Sequence, residues 1–459
     1  MGGFAISAEI NAVPLGPRGS PDWLRLIDDV ADGRWTSPTT GRCAPISKSR
    51  SIEIAETLEG READLIAAVA PTESLALVAD ANTWDALGHR VRGALSRARR
   101  DGREVILEGR PHADLRSAAA LAEKLSGVEH VIAVGSGTIN DLVKYVTAGD
   151  GRSCSVFGTA PSMDGYVSST ASMGLDSGLK VSRPAQAPAG VFLDLGVMAA
   201  APLQNRAAGF GDLICSSVAR IDWWLSHRLL GTEFRVEPYE ISSENDLAVV
   251  QHAEGVRSGD LEAIGYQVRG LVLSGLAIGF TGVSNHGSMG EHQISHYIDC
   301  FAGTRHPGTL HGEQVGVASL SMARIQNWFL AQETPPRLQA TLVDEADMAR
   351  RMGPEIAAEC AAEYSKKALD PERADRLSEK LADIWRGLRR VCLVIAVDVE
   401  TMRAQLHSAG GATSAAELGV PVDFYREAVR YGHEMRNRFS FADLACDAGL
   451  LDDFAAAET

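Results

Sequence analysis

The chain contains few cysteines for its length, and they show no pattern. Seven cysteines are spread over 459 residues without a Cys-x-x-Cys pair. An odd number of widely spaced thiols indicates neither a disulfide framework nor a thiolate zinc site. A reducing compartment fits this usage best, so we expect the protein in the cytoplasm.

The chain also lacks an excess of positive charge and lacks long hydrophobic runs. Its formal net charge is −16 at pH 7. Sequence-independent binding of nucleic acid or of an anionic membrane requires concentrated lysine and arginine, so we expect neither as a partner. No run approaches the roughly 20 apolar residues of a membrane span, and the first residues lack the regions of a signal peptide. These features argue against nucleic-acid-binding and membrane-spanning functions.

Length and composition are those of an ordinary soluble protein with two domains. The chain is 45% hydrophobic and 23% charged, and it is long enough to build a large core. Residues 1–50 are rich in Pro, Gly, Ser and Arg and show weak periodicity, so we interpret them as an N-terminal appendage. We assign residues 51–200 to a nucleotide-binding α/β domain and residues 201–459 to a helical, metal-binding domain.

Short apolar runs bounded by turn residues alternate with stretches of helical length, such as 112–125, in the first domain. Strands that alternate with helices predict a parallel sheet covered on both faces, which is a Rossmann-like arrangement. The runs that we predict as strands are 75–80, 105–108, 130–134, 155–157 and 191–194. Residues 170–185 are predicted to form an irregular hairpin.

After Pro202 the strand pattern disappears and long amphipathic segments follow, so the second domain is predicted to be all-α. The predicted helices are 204–230, 262–280, 311–331, 338–350, 354–367, 371–392, 398–408 and 421–438.

A glycine turn between a predicted strand and a predicted helix is the first candidate binding motif. It is the segment 135–141 (GSGTIND), in which Gly135 and Gly137 allow a pyrophosphate to approach the backbone at the start of a helix. Asp80 ends the first predicted strand and could accept hydrogen bonds from ribose hydroxyls, which would favour NAD over its 2′-phosphorylated form. Two simpler interpretations remain open: the turn binds nothing, and Asp80 caps the helix that follows.

The segment 159–165 (TAPSMDG) follows another predicted strand and is dense in small and hydroxyl residues. Such groups could orient a nicotinamide or a substrate, and Asp164 could bind a substrate hydroxyl. Lys180, in the predicted hairpin, could meet a phosphate. A plain turn residue and a solvated surface charge are the competing interpretations of Asp164 and Lys180.

Histidines are concentrated in one short part of the chain. Five of the twelve fall between positions 286 and 311, namely His286, His292, His296, His306 and His311. If residues 290–300 are helical, His292 and His296 share one face and could bind the same divalent metal. Asp212, close to Gly209 and Gly211, is the best candidate for a carboxylate ligand. The alternative is that these histidines cap helices or lie satisfied in a core.

Taken together, these motifs resemble the glycerol-1-phosphate dehydrogenase branch of the dehydroquinate-synthase-like, metal-dependent alcohol dehydrogenase superfamily. The resemblance runs from about residue 52 to 455 in consistent order. The segments that carry it are 135–141 (GSGTIND), 159–165 (TAPSMDG), 208–213 (AGFGDL), 290–296 (GEHQISH), 311–316 (HGEQVG) and 428–439 (AVRYGHEMRNRF).

The resemblance implies a role for individual residues. The metal ligands would be Asp212, His292 and His311. His296 would lie near the nicotinamide, and Asp164 and Lys180 would face the substrate or the nicotinamide ribose. The cofactor contacts would be Asp80, Gly135, Ser136, Gly137, Asp141, Thr159 and Ser162. Iron-binding relatives use a fourth ligand at the position of Ser216, so three ligands and either zinc or nickel are implied.

The resemblance further implies a dehydroquinate-synthase-like fold and reversible hydride transfer between NAD(H) or NADP(H) and dihydroxyacetone phosphate, with sn-glycerol 1-phosphate as product. A divalent metal would polarise the carbonyl, and His296 would assist a proton transfer. The interdomain cleft is expected to hold the site. We also expect a homo-oligomer.

Substrate identity is where the sequence departs from that branch. Its usual Ser-Pro-Ala-Ser or Arg-Pro-Ala-Ser stretch is replaced by 284–289 (SNHGSM). A reductase for another small phosphorylated or phosphonylated carbonyl compound is therefore the closest alternative. Glycerol as substrate, a sugar-phosphate cyclase and a non-catalytic protein are the others, although all three implied metal ligands are present.

Overall fold

A computed structural model describes residues 21–175 and 179–459. The described chain forms two compact units, which we treat separately. The sheet unit comprises residues 21–209 and Val236–Val283, and the helical unit comprises Phe210–Arg235 and Ser284–Thr459.

A six-stranded sheet organises the sheet unit. Its order is β1-β8-β5-β4-β2-β3, every neighbouring pair is parallel, and β6 and β7 form a separate antiparallel hairpin. The strands are β1 (Ser51–Ala55), β2 (Leu75–Asp80), β3 (Arg103–Leu107), β4 (His130–Gly135), β5 (Ser153–Gly158), β6 (Thr170–Gly174), β7 (Lys180–Pro184) and β8 (Gly190–Asp194). The predicted parallel sheet and the predicted hairpin are confirmed.

Twenty-two α-helices surround or follow the strands. The first twelve are α1 (Pro21–Ala31), α2 (Glu62–Val69), α3 (Ala81–Thr83), α4 (His89–Arg97), α5 (Leu115–Lys124), α6 (Gly137–Asp150), α7 (Leu195–Ala199), α8 (Leu203–Ile214), α9 (Ser216–Leu230), α10 (Glu237–Gln251), α11 (Ala253–Ser258) and α12 (Leu261–Thr281). The rest are α13 (Gly290–Phe301), α14 (His311–Ala331), α15 (Glu345–Met352), α16 (Pro354–Ser365), α17 (Pro371–Ile395), α18 (Val399–Ser408), α19 (Ala415–Leu418), α20 (Val422–Tyr431), α21 (Phe441–Asp447) and α22 (Leu451–Ala456). A π-helical turn lies at Trp84–Gly88, and 3₁₀ turns lie at Gly303–Arg305 and Gly432–Met435.

Both faces of the sheet are buried. Along β2, Ala76 and Val78 pack into one hydrophobic core, whereas Leu75, Leu77 and Ala79 pack into the other. Alternate residues of a strand point to opposite faces, so a strand covered by helices on both sides must be apolar throughout. This explains why the central strands are continuous apolar runs in the sequence.

The first core also contains two elements that the sequence analysis placed outside the α/β domain. Val268 and Val272 of α12, and Ile27 and Val30 of α1, are all buried in it. The described part of the N-terminal segment is therefore packed against the sheet unit. The units do not change at residue 200 but at Gly209, and Val236–Val283 belongs with the sheet.

The helix α12 is long and apolar enough to cross a membrane, but its burial is that of a core helix. Residues inside the protein make up 72% of its most apolar 18-residue window.

Most predicted helices are confirmed, with three differences. The segment 204–230 is two helices, α8 and α9, separated at Cys215. The helix predicted from residue 338 begins at Glu345, and the one predicted to reach residue 438 becomes a 3₁₀ turn after Tyr431. The helix α10 was not predicted, because several of its buried residues are polar, including Glu237, Glu240 and Asn245.

Candidate functional site

The predicted cofactor residues collect at one edge of the sheet unit. β5, β4, β2 and β3 are neighbours in that order, so the chain continues from β2 to one side and from β4 to the other. Ligands of open parallel sheets bind beyond the carboxyl ends of the strands where the order reverses in this way. Asp80 ends β2 and Gly135 ends β4, so the two motifs flank that point.

The glycine turn has the geometry of an open helix start. A Cβ on Gly135 would lie 2.7 Å from Cβ of Ile139, so only glycine permits this close packing of strand and helix. A Cβ on Gly137, the first residue of α6, would meet only Met163, at 3.8 Å. Ser136 precedes the helix without capping it through its side chain. The first amide groups of α6 therefore have space in front of them for an anion.

Asp80 caps a helix, as the simpler interpretation of the sequence proposed. Its Oδ1 accepts from the backbone N–H of Thr83 at 2.8 Å, and its own N–H donates to the Thr83 hydroxyl at 3.0 Å. Capping uses one carboxylate oxygen, and the residue is partly exposed. The second oxygen is compatible with a ribose hydroxyl, so the cofactor role stays a prediction.

The segment after β5 lies next to the glycine turn. The Thr159 N–H donates to the carbonyl of Gly135 at 3.3 Å, and Ser162 is partly exposed in the loop that follows. Asp164 accepts from the Ser274 hydroxyl at 2.9 Å, and burial raises the pKa of this carboxyl. The structure thus gives Asp164 a specific partner on α12, which a plain turn residue would not need.

Asp141 has a structural role that the sequence did not reveal. One of its oxygens lies 3.1 Å from the Lys144 ammonium, and the other accepts from the Ser172 N–H at 3.1 Å. Lys144 is fully buried and donates to the carbonyls of Gly165 and Thr170. The pair holds the segment after β5 in place, and a direct contact between Asp141 and the cofactor stays a prediction. Lys180 begins β7 opposite Gly174.

The three predicted metal ligands come together in the helical unit. Ligand atoms of Asp212, His292 and His311 all lie within 4.8 Å of one another. Nε2 of His292 is 3.7 Å from Oδ1 of Asp212, and the rings of His292 and His311 have centroids 5.0 Å apart. We call these three residues the ligand cluster.

Close backbone contact between two helices brings Asp212 to His311. A Cβ on Gly211 would lie 2.1 Å from the carbonyl oxygen of Gly312, so no larger residue fits. The two glycines were expected to precede a helix, and this was wrong. Gly211 lies inside α8, and Asp212 stands in the last turn of that helix. The glycine serves helix packing rather than helix initiation.

The ring of His292 is oriented by its neighbour. Its Nδ1 lies 2.8 Å from Oε1 of Glu291, which is fully buried and also accepts from the Met289 N–H. A hydrogen bond from Nδ1–H leaves the lone pair on Nε2, which is the atom that faces Asp212. Burial, with help from the charges of Arg438 and Arg436, lowers the pKa of His292 to about 3. The imidazole is therefore neutral at pH 7, as a metal ligand must be.

A chain of hydrogen bonds orients His311 in the same way. Its Nδ1 lies 3.0 Å from the Ser295 hydroxyl, which donates to Oε1 of Gln314 at 2.9 Å. Nε2 of Gln314 donates to Asp299 at 3.0 Å, which fixes the orientation of the amide. Since Ser295 donates to the amide, it accepts from Nδ1–H of His311, and the lone pair is again on Nε2.

The donor set fits a divalent metal. It offers two imidazole lone pairs and one carboxylate, which is the three-ligand pattern of catalytic zinc sites. A second group, Cys215, Glu291 and His292, has similar spacing. Its thiol, however, donates to the carbonyls of Asp212 and Gly287, and its carboxylate already binds His292. The ligand cluster is the better site.

His296 lies beside the cluster, where α13 places it one turn after His292. Its ring centroid is 5.5 Å from that of His311 and 6.3 Å from that of His292. Nε2 of His296 accepts from the Arg436 guanidinium at 3.1 Å. The proton of the neutral ring is therefore on Nδ1, a buried atom without a partner among the described residues.

Sequence reasoning missed the groups that support the cluster, because their contacts are distant in sequence or carry no motif. Asp222 is an example: this fully buried carboxylate accepts from the N–H of Gly290 at 3.2 Å and so caps the start of α13. The other unpredicted groups are Cys215, Glu291, Ser295, Gln314, Arg436 and Arg438.

Comparison with known proteins agrees with this site. The model of the family described as iron-containing alcohol dehydrogenase matches residues 53–202. A glycerol-1-phosphate dehydrogenase [NAD(P)+] of Thermococcus kodakarensis is 30% identical over 295 residues, which cover 63% of this chain and 82% of that relative.

The chain belongs to the glycerol-1-phosphate dehydrogenase family. A second member, from Bacillus velezensis, is 27% identical over 370 residues and is matched over 83% of its length.

Solved structures related to this family share the fold. A glycerol dehydrogenase from Schizosaccharomyces pombe superposes with a TM-score of 0.59 at 17% identity, over 89% of this chain and 90% of that one. A probable glycerol dehydrogenase from Sinorhizobium meliloti 1021 gives a TM-score of 0.58 at 17% identity, over 89% and 98%. The glycerol-1-phosphate dehydrogenase family thus shares an architecture with other dehydrogenases, as the sequence predicted.

Replacing Ser295 tests the hydrogen-bond chain behind His311. Ser295→Ala removes the acceptor for Nδ1–H, so the ring loses its orientation, and we expect affinity for Zn²⁺ to fall about 10- to 100-fold. Competition with a chromogenic chelator measures this directly. His311→Ala should remove tight binding altogether. Ser365→Ala, which removes a similar hydroxyl from α16, should change nothing. Equal affinity of wild type and Ser295→Ala would show that the chain does not position His311.

Proposed function

We propose that the protein catalyses reversible hydride transfer between NAD(P)H and dihydroxyacetone phosphate, with sn-glycerol 1-phosphate as the product. The observation that carries the proposal is the ligand cluster: two neutral imidazoles and one carboxylate in a member of the glycerol-1-phosphate dehydrogenase family. A member that had lost its chemistry would not need to keep all three ligands and both systems that orient the imidazoles.

Asp212, His292 and His311 would hold one divalent metal, and zinc or nickel suits this set of nitrogen and oxygen donors. When bound, the metal supplies Lewis-acid polarisation of the substrate carbonyl, which is worth several kcal/mol in such reactions. Ser216 stands where the resemblance places the fourth ligand of iron enzymes, which supports three protein ligands.

The sheet unit would bind the cofactor. The open start of α6, with Gly135, Ser136 and Gly137, offers backbone amides to the pyrophosphate. Thr159 and Ser162 follow the neighbouring strand, and the second oxygen of Asp80 would accept from the adenosine ribose. Asp164, oriented by Ser274, and Lys180 would face the nicotinamide ribose or the substrate.

His296 would act on the proton. Burial and the adjacent Arg436 lower its pKa well below the ordinary value, so the ring is neutral at pH 7. With Nε2 bound to Arg436, the proton is held at Nδ1, and the ring can donate a hydrogen bond from that atom. A neutral imidazole that donates toward developing negative charge is a known catalytic arrangement.

The compartment and assembly are part of the same proposal. All seven cysteines are free thiols, which agrees with the reducing cytoplasm. We propose a homo-oligomer that acts on a small phosphorylated molecule.

A substrate panel tests the reaction. With the Zn²⁺- or Ni²⁺-loaded protein, NADH absorbance should fall when dihydroxyacetone phosphate is added, and the reverse reaction should accept sn-glycerol 1-phosphate but not the 3-phosphate enantiomer. Dihydroxyacetone and glycerol, which lack the phosphate, should be poor substrates. Faster turnover of glycerol than of its phosphate, or NAD-dependent cyclisation without net NADH consumption, would contradict the proposal.

Asp80→Asn separates the cofactor role of Asp80 from its capping role. Asparagine keeps the N-cap acceptor but removes the charge that would repel a 2′-phosphate. We expect the NAD-to-NADP ratio of kcat/KM to fall about tenfold, or about 1.4 kcal/mol, at an unchanged melting temperature. Asp370→Asn is the matched control, because Asp370 caps α17 through the same contact. An unchanged ratio in Asp80→Asn would leave Asp80 with capping alone.

A further inference from the structure

Two arginines near the ligand cluster have no carboxylate partner among the described residues. Arg436 and Arg438 follow the 3₁₀ turn Gly432–Met435, and both are only partly exposed. Their neighbour Arg351, by contrast, pairs with Asp347 at 2.7 Å and with Glu434 at 2.8 Å. A partly buried cation without a counter-ion is costly, so its retention indicates a function.

The contacts that the two guanidinium groups do make are to neutral atoms. Arg436 donates to Nε2 of His296 at 3.1 Å. Arg438 donates to the backbone carbonyl and the hydroxyl of Ser288, the latter at 2.7 Å, and to the Ser284 hydroxyl at 3.2 Å. These bonds orient the two side chains without neutralising them. Arg436 uses one of the five N–H groups of a guanidinium for its contact, so most of its donors remain for a ligand.

The backbone beneath the arginines is fixed to the helix that carries the ligand-cluster residue His292. The carbonyl of Arg438 accepts from the buried Lys367 ammonium at 2.8 Å and from the Gln293 amide at 3.1 Å. A Cβ on Gly432 would lie 3.0 Å from the backbone of Ile294, so glycine permits the 3₁₀ turn to lie against α13. The two cations therefore occupy set positions beside the cluster, as a preformed site requires.

The charges around the cluster call for an anion. Burial lowers the pKa of Arg438 to about 9, with the charge of Arg436 contributing, and burial also lowers the pKa of Arg436. The buried carboxyl that interacts with Arg438, Glu291, has its pKa raised by burial to about 7, so it is a poor counter-ion near neutral pH. A divalent metal on the cluster would add further positive charge. A dianionic group bound there would balance it.

We propose that Arg436 and Arg438 form the anion subsite that binds the phosphate group of the substrate. The inference rests on the proposed function, which it deepens by naming the groups that select a phosphorylated substrate. Guanidinium groups bind phosphate through two parallel hydrogen bonds, which a lysine cannot reproduce. Arg436 supplies most of the contacts, and Arg438 adds charge while its bonds to Ser284 and Ser288 anchor the 284–289 segment.

The subsite also gives that segment a purpose. Residues 284–289 depart from the pattern expected of the branch, yet their two serines accept from Arg438. The segment therefore serves to orient a phosphate-binding arginine, and its altered sequence is compatible with a phosphorylated substrate.

Binding of inorganic phosphate to the full-length, Zn²⁺-loaded protein tests the subsite without turnover. Arg436→Gln should weaken phosphate binding about 10- to 100-fold in calorimetry, since a hydrogen bond to a charged group is worth about 1.5–3 kcal/mol. It should raise KM for dihydroxyacetone phosphate by a similar factor, while KM for NADH and zinc content per chain stay within about twofold. Arg436→Lys, which keeps the charge, should lose less.

Arg430→Gln is the control, because Arg430 lies one turn earlier and pairs with Asp452 on the surface. It should leave all four quantities unchanged. Unaltered phosphate affinity in Arg436→Gln would overturn the subsite, and so would a loss of zinc with unchanged phosphate affinity per loaded chain, which would mean that Arg436 only supports the histidines. If wild type binds phosphate through Arg436 but does not reduce dihydroxyacetone phosphate, the subsite stands and the proposed substrate fails. If wild type reduces dihydroxyacetone phosphate while the variant binds phosphate as wild type does, the proposed substrate stands and the subsite fails.

Discussion

The contact between Gly211 and Gly312 is the constraint on which the helical unit depends. A single added carbon on Gly211 would lie 2.1 Å from the Gly312 carbonyl, so α8 and α14 can approach closely only because neither carries a side chain there. Asp212 and His311 are the next residues on the two helices, and the approach brings them within reach of one ion. Helix α13, capped by the buried Asp222, then adds His292 to the same point.

Two kinds of support surround that point, and they have different physical roles. Hydrogen bonds from Glu291 and Ser295 select the tautomer of each liganding imidazole, which determines the nitrogen that faces the cluster. Burial and the two arginine charges keep the rings neutral. These effects favour metal binding, but the same arginine charges oppose the arrival of a cation. An anionic substrate relieves that opposition, so metal, substrate and protein are expected to bind with mutual support.

The sequence predicted the features that depend on local patterns. Continuous apolar runs identified β2, β4 and β5, because both faces of the sheet are covered, and the spacing of His292 and His296 placed both on one face of α13. It did not predict α10, whose buried glutamates and Asn245 obscure the helical period, nor the packing of α12 and α1 into the core of the sheet unit. The contact of Arg436 with His296 was also out of reach, because it depends on how Gly432 meets α13 in space. The metal ligands were assigned by resemblance, and the geometry that unites them became visible only in the folded chain.

The central claim is that one aspartate and two histidines hold a single cation. The most direct measurement is a crystal structure of the metal-loaded protein with anomalous data collected above and below the absorption edge of the bound element. The account predicts one strong anomalous peak per chain, about 2.0–2.2 Å from a carboxylate oxygen of Asp212 and from Nε2 of His292 and His311. A metal bound elsewhere, or a peak coordinated by Cys215 and Glu291 in place of Asp212 and His311, would contradict it.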